Sequence, residues 1–290
     1  MESLGLQEAC AEARSWNHGD KYFICRRPLS ELTARLSQGL SIKTSFAVTD
    51  IAAAEAAAAA ASASSSAPPR LMRLTSSSGA CVLAQSVIIA VPLSQLKRNA
   101  IAFRPPLPRC KARAIERIQV GDAIKVFLAF EAHSRPPWPE DVWDVVCPDA
   151  DAFLPEFWMT SAMRDTDTRS SNRVHVLTGF IAGHYATRLA GSLDERGILA
   201  RALAQIADIF GPHVRECYRG GRVFHWGQQA FQQAGYSHPS VGALGERAVL
   251  AEPLPERRLY FAGEATHEGI NPCLQVRKRQ RCQRMYLYIY

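Results

Sequence analysis

The stretch Leu259-Tyr-Phe-Ala-Gly-Glu-Ala-Thr266 sets an apolar run, a glycine and an acid in an order that predicts a buried strand, a tight turn and a carboxylate beside it. The spacing places the strand over Arg258 to Ala262, ending at Gly263. A glycine at such a junction lets another group approach the backbone closely, and an acid next to it can accept hydrogen bonds from hydroxyls, as in dinucleotide sites. A strand that merely runs into a glycine turn satisfies the same pattern, so the rest of the chain has to decide.

Upstream, strands and helices alternate. Ala84 to Val91 reads as one buried strand, because Val87, Ile88, Ile89 and Val91 are β-branched and Pro92 stops the run. Ser45 to Ile51 and Leu71 to Thr75 predict two further strands on either side of an Ala/Ser-rich segment, 52–69, which has no apolar stripe and reads as a solvent-exposed insertion. Ser76-Ser77-Ser78-Gly79 is a turn signal. Leu107 to Ile118 has helical spacing behind Pro105-Pro106, and Ile124 to Phe130, Val174 to Ala182 and Arg222 to Trp226 read as strands. Leu193 to Phe210 predicts a helix with Ser192 as its N-cap and Gly211-Pro212 as its stop. Asp141 to Arg173, rich in Pro and Asp, predicts loop. The alternation argues for a mixed α/β fold rather than a bundle or a sandwich.

The chain has 290 residues, 47% of them hydrophobic and 21% charged, which excludes general disorder and fibrous composition. Its net charge of +7 invites a nucleic-acid or membrane-surface reading. Five of those charges, Arg277, Lys278, Arg279, Arg281 and Arg284, fall in a tail without acids, so the remainder carries 7 − 5 = +2. Eight scattered cysteines form no Cys-x-x-Cys and no zinc spacing, which fits reduced thiols and no metal site. The run Val87 to Leu93 is far short of the ~20 residues of a membrane span, and Met1 to Trp16, interrupted by Glu2, Glu8 and Glu12, does not read as an export signal. These features predict a soluble, intracellular protein with no membrane partner. The cytoplasm is the first expectation, with nucleus and peroxisome left open.

Several segments taken in order resemble the flavin-dependent amine oxidases, the family of polyamine oxidases, monoamine oxidases and lysine-specific histone demethylases. They are Val87-Ile-Ile-Ala-Val-Pro-Leu-Ser-Gln-Leu-Lys97, Ile101-Ala-Phe-Arg-Pro-Pro-Leu-Pro108, Gly121-Asp-Ala-Ile-Lys-Val-Phe-Leu-Ala-Phe130, His225-Trp-Gly-Gln-Gln-Ala-Phe231, Gly235-Tyr-Ser237 and Phe261-Ala-Gly-Glu-Ala-Thr266, with Pro28 to Ile51 as a further match. The resemblance implies an amine-oxidase-like substrate-binding domain, an incomplete FAD-binding domain, and FAD as cofactor. Val48 matches a valine whose backbone meets the adenine end of FAD, and Glu264 matches the acid of the family's Gly-Glu pair. Cys273 and Leu274 match the helix start that faces the flavin, where unpaired N–H groups would stabilise negative charge on the ring. Lys125 matches a lysine that bonds a water beside the flavin, and is the candidate catalytic residue. On the residues alone, Lys125 reads first as a surface lysine on an edge strand, since lysine is seldom fully buried. Trp226, Phe231 and Tyr236 match aromatics of the substrate site and read equally as core. His225 and Cys110 read as structural.

The sequence departs from the family at both ends. It contains no Gly-x-Gly-x-x-Gly for the FAD pyrophosphate. Ile270 stands where many members carry a tyrosine, and Val276 to Tyr290 is basic where the family has a small-residue helix. The expected organisation is an unassigned segment 1–20, a partial FAD-binding segment 21–97 holding the insertion, a substrate-binding domain 98–240, a C-terminal FAD-contacting segment 241–275 and a divergent tail 276–290. The resemblance implies oxidation of a polyamine-like amine to an imine, with O2 as the final acceptor, by a chain that reads as truncated. The alternatives are a non-catalytic fragment that binds no FAD and a basic-tailed chromatin or nucleic-acid binder.

Overall fold

A computed structural model describes residues 5–15, 28–54, 71–131, 137–149, 151–159, 174–238 and 240–268. In chain order its elements begin with α1 (Leu6–Ser15), α2 (Leu29–Leu36), β1 (Val48–Ala53), β2 (Met72–Ser76), β3 (Cys81–Ala84), β4 (Val87–Ile89), α3 (Leu93–Lys97), β5 (Ala102–Arg104) and α4 (Arg109–Arg117). They continue with β6 (Gln119–Gly121), β7 (Ala123–Glu131), β8 (Asp144–Val146), β9 (Glu156–Met159), β10 (Val174–Ala182), α5 (Gly183–Ser192), α6 (Glu195–Phe210) and α7 (His213–Cys217). The last are β11 (Tyr218–His225), β12 (Tyr236–His238), α8 (Glu246–Ala251) and β13 (Leu259–Phe261). The chain divides into two compact units, one drawn from residues 1–19, 39–120 and 236–290, the other from 20–38 and 121–235. Residues 98–120 thus pack in the first unit, whereas the sequence suggests grouping them with residues 121–240.

In the first unit a four-stranded sheet runs β3-β2-β1-β5, and β4 pairs in parallel with β13. Ile51, Met72, Leu74, Val87, Ile89, Leu96, Ile115 and Phe261 form its core. Gly79, at φ 81°, closes the β2–β3 hairpin at the expected turn. The run Ala84 to Val91 is two strands rather than one, because β3 pairs with β2 while β4 pairs with β13. Ala52, placed by composition in an exposed insertion, is buried in β1, where it pairs with Arg73. Residues 55–70 lie outside the described residues.

The α4 helix presents one polar side chain to this core. Lys111 is 1% exposed, and its Nζ donates to the backbone carbonyls of Val249 at 2.6 Å, Leu250 at 2.8 Å and Glu252, while facing the Phe261 ring at 4.4 Å. These are carbonyls at the end of α8, which a helix cannot satisfy internally. One ammonium thereby ties α4, α8 and β13 together.

The second unit is a five-stranded antiparallel sheet, β11-β7-β10-β9-β8. Along β7 the pleat sends Ile124, Val126, Leu128 and Phe130 to one face, all fully buried, and Lys125, Phe127 and Ala129 to the other, all partly exposed. The buried face packs with Leu177, Ile181, Phe157, Ala186, Ile198 and Ile206 into one core. Asp194, not Ser192, caps α6, accepting from Gly197 N at 2.7 Å. Ser192 instead ends α5, a helix the sequence does not announce, and bonds back to Leu189. Gly211, at φ 102°, stops α6 as expected. The Pro- and Asp-rich region contains two short strands, β8 and β9, which tertiary pairing creates: Phe157 and Met159 are fully buried against β10.

Substituting Lys111→Met should lower stability at pH 7 by about 1–3 kcal/mol, since buried carbonyls lose their donor. Burial pulls the Lys111 pKa down to about 8, against the opposing pull of Glu252. The unfolded chain therefore binds more protons between about pH 8 and the ordinary lysine value, so stability gains from this group as pH rises through that window. Urea denaturation across that range should show the gain in the wild-type protein and its absence in Lys111→Met.

Candidate active site

In the second unit the open face of the sheet gathers the side chains with chemistry to offer. Strand pairing sets Phe224, Lys125, Phe180 and Glu156 in one row and Arg222, Phe127, Thr178, Trp158 and Asp144 in the next, all on the face opposite the core. Lys125 sits on an interior strand of this sheet, not at an edge, because β10 and β11 flank β7. Its Nζ faces the Trp158 ring at 5.8 Å, and Trp158 and Phe180 lie 6.0 Å apart. Phe224 meets Trp226 edge-on at 4.7 Å. Aromatic faces attract cations and give an amine flat walls to rest on. At the far side, burial first and the neighbouring Asp144 second raise the pKa of Glu156.

Among the aromatics expected from the sequence, Trp226 joins this cluster. Phe231 does not: it is 66% exposed and makes no ring contact among the described residues. Tyr236 opens β12 in the first unit. Trp158, Phe180 and Phe224 are members that the sequence does not announce. Phe180 lies in an expected strand and needs only its register with β7 to be placed, whereas Trp158 is hidden in a region that composition marks as loop. A broader surface hollow of about 670 Å3, bordered by α6 and β11 and lined by Leu199, Leu203, Tyr218 and Arg222, lies apart from the aromatic cluster.

The first unit holds the Gly-Glu pair. Gly263 follows β13 at φ 115°, a conformation that suits glycine, and a Cβ there would meet only Ala90 O at 3.9 Å. The backbone is thus open to close approach beside the ends of the parallel strands β4 and β13, the place where α/β folds bind ligands. Glu264 accepts from Ser237 N at 3.2 Å and Ser237 Oγ at 2.7 Å, and Ser237 Oγ in turn accepts from the buried Arg247 at 2.8 Å. The carboxylate is therefore held in one orientation. Val48 begins β1 and borders an apolar pocket of about 60 Å3 together with Ile42, Phe46, Ile89 and Val91. That volume fits the edge of a ring rather than a whole nucleotide, well below the ~300–1,000 Å3 of full ligand sites. These residues fit contacts to parts of FAD. Cys273, Leu274, Ile270 and the basic tail lie outside the described residues.

Comparison with known proteins decides the family. A family model described as flavin containing amine oxidoreductase matches residues 3–274, nearly the whole chain. The chain belongs to this family. The human peroxisomal N(1)-acetyl-spermine/spermidine oxidase is 32% identical over 200 residues, covering 63% of this chain and 38% of the relative. Human lysine-specific histone demethylase 2 is 26% identical over 284 residues, covering 90% of this chain and 31% of the relative. Among solved structures, putrescine oxidase bound to putrescine superposes with a TM-score of 0.58 at 20% identity, over 76% of this chain and 43% of that one, a likeness of fold. This amine oxidoreductase chain spans about two fifths of the length of the acetylspermine/spermidine oxidase it matches. Among its described residues no helix is long and apolar enough to cross a membrane, and no cluster of His, Cys, Asp and Glu could hold a metal. Cys10, Cys81, Cys110, Cys147 and Cys217 are free thiols.

Replacing Ser237 by Ala removes one donor to Glu264 and one acceptor of Arg247 in a buried network. The substitution should cost about 1–3 kcal/mol in urea denaturation. It should also loosen Glu264 enough to weaken any FAD uptake, measured as retained absorbance after gel filtration.

Proposed function

We propose that this chain supplies the amine-facing sheet and the Gly-Glu contacts of an FAD-dependent amine oxidase, with a polyamine-like amine as substrate. The observation that carries the reading is Lys125, held on an interior strand amid Trp158, Phe180 and Phe224, in a chain of the flavin-containing amine oxidoreductase family. The similarity to an acetylspermine/spermidine oxidase supports the substrate class.

The chemistry that FAD supplies when bound is removal of a hydride from the carbon beside the amine nitrogen and passage of the electrons to O2, giving an imine and hydrogen peroxide. Glu264 would accept hydrogen bonds from hydroxyls of FAD, Gly263 would admit it close to the backbone, and Val48 would meet its adenine end. The resemblance implies that Cys273 and Leu274, outside the described residues, would face the flavin as well. Trp226, Trp158, Phe180 and Phe224 orient the amine and exclude water. Lys125 holds and orients the water needed for imine hydrolysis or for the return of electrons to oxygen.

A second reading is a non-catalytic amine-oxidase-like fragment that does not bind FAD by itself, favoured by the lack of any Gly-x-Gly-x-x-Gly in these 290 residues. Purification in the presence of FAD separates the two. The first reading predicts a yellow protein that keeps its cofactor through gel filtration, and a colourless one favours the second. In the yellow protein, Lys125→Met should slow reoxidation in air by roughly tenfold or more, and an unchanged rate would remove Lys125 from the chemistry.

A further inference from the structure

The turn that carries Trp226 is clasped from beneath by two side chains, Asp122 and His225, neither of which has a chemical part in the amine site. Asp122 lies immediately before β7. Its Oδ2 accepts from His225 Nε2 at 2.7 Å, and its Oδ1 accepts from the amides of Ala123 at 2.8 Å and Gly227 at 3.0 Å. Both side chains are largely buried, 16% exposed for Asp122 and 12% for His225. His225 Nδ1 is buried without a hydrogen-bond partner among the described residues, so the ring proton belongs on Nε2, facing the carboxylate. A Cβ on Gly227 would fall 2.6 Å from Asp122 Oδ1, so the carboxylate takes the space that any larger residue would fill. The backbone joins in: Asp122 O accepts from Gly183 N at 2.8 Å, and His225 O accepts from Gln229 Nε2 at 3.1 Å.

Strand alternation gives this clasp its consequence. His225 pairs with Ile124 and shares its buried face, so Phe224 falls on the opposite face with Lys125, and Trp226, in the 3-10 turn that follows the strand, meets Phe224 edge-on at 4.7 Å. We propose that Asp122 and His225 are a positioning pair that holds Trp226 against Phe224 on the face of Lys125, and so set how tightly the amine is gripped. The proposal rests on the amine oxidase reading. It assigns the pair no contact with substrate or cofactor. Its effect passes through Trp226, and so falls on binding rather than on the rate of the chemical step.

The test uses the full chain supplied with FAD, and reads acrylamide quenching of Trp226 emission as the difference between each protein and its Trp226→Phe counterpart. Asp122→Ala should raise Trp226 quenching roughly twofold and the KM for spermidine roughly fivefold or more, with the saturating rate of flavin reduction changed less than about twofold. Asp122→Asn, which keeps an acceptor for the two amides, should recover most of both. Gly227→Ala, which pushes the carboxylate aside, should reproduce the Asp122→Ala pattern. If Asp122→Ala does not fold, His225→Phe supplies the same comparison with the same expected direction. Unchanged Trp226 quenching in a folded variant would overturn the proposal, as would a fall in the reduction rate at constant KM. A wild-type protein whose bound flavin no amine reduces contradicts the amine oxidase reading itself, and the quenching comparison then still decides whether the pair positions Trp226.

Discussion

The pleat of β7 governs the second unit. Because successive side chains leave a strand on opposite faces, burying Ile124, Val126, Leu128 and Phe130 completely forces Lys125 and Phe127 onto the other side. A shift of one residue would bury the ammonium and expose the core, so the register is strongly specified. The neighbouring strands inherit the same parity, which is why Phe180 and Phe224 flank Lys125 and why His225 is tucked beneath. A lysine amid aromatics is thus the by-product of a hydrophobic core that admits only one register.

The first unit adds a second feature, buried polar side chains that meet backbone and side-chain partners in pairs and chains. Lys111 meets the carbonyls at the end of α8, and Ser237 links Glu264 to Arg247. Such arrangements cost desolvation and add geometric definition where every partner is present. They also fix the carboxylate of the Gly-Glu pair before any ligand arrives, the kind of pre-organisation a binding site benefits from.

How much of this the sequence discloses depends on the range of the interaction. The strands over Val174–Ala182 and around Lys125, the α4 helix and the stop at Gly211 rest on local periodicity and turn chemistry, and they are legible. The α6 cap lies two residues beyond the expected position because Ser192 and Asp194 are both good caps, and only the chain path chooses between them. The strands β8 and β9 are invisible locally, since their extended form comes from pairing, β9 with β10 and β8 with β9, in a Pro- and Asp-rich context. The candidate site divides the same way. Lys125, Glu264 and Trp226 stand in motifs that can be matched to a family, while Trp158, Phe180, Asp122 and His225 come together only through strand register. Phe231 shows the converse, an aromatic in a matching motif that the fold leaves in solvent.

The central claim is that the Lys125 face receives an amine for oxidation by bound FAD. Anaerobic addition of spermidine to the FAD-loaded protein tests it most directly, followed by the visible flavin absorbance. The account predicts that the band bleaches on addition of amine and returns when air is admitted. A protein that retains FAD but whose band is unchanged by spermidine, putrescine and their acetylated forms would contradict it.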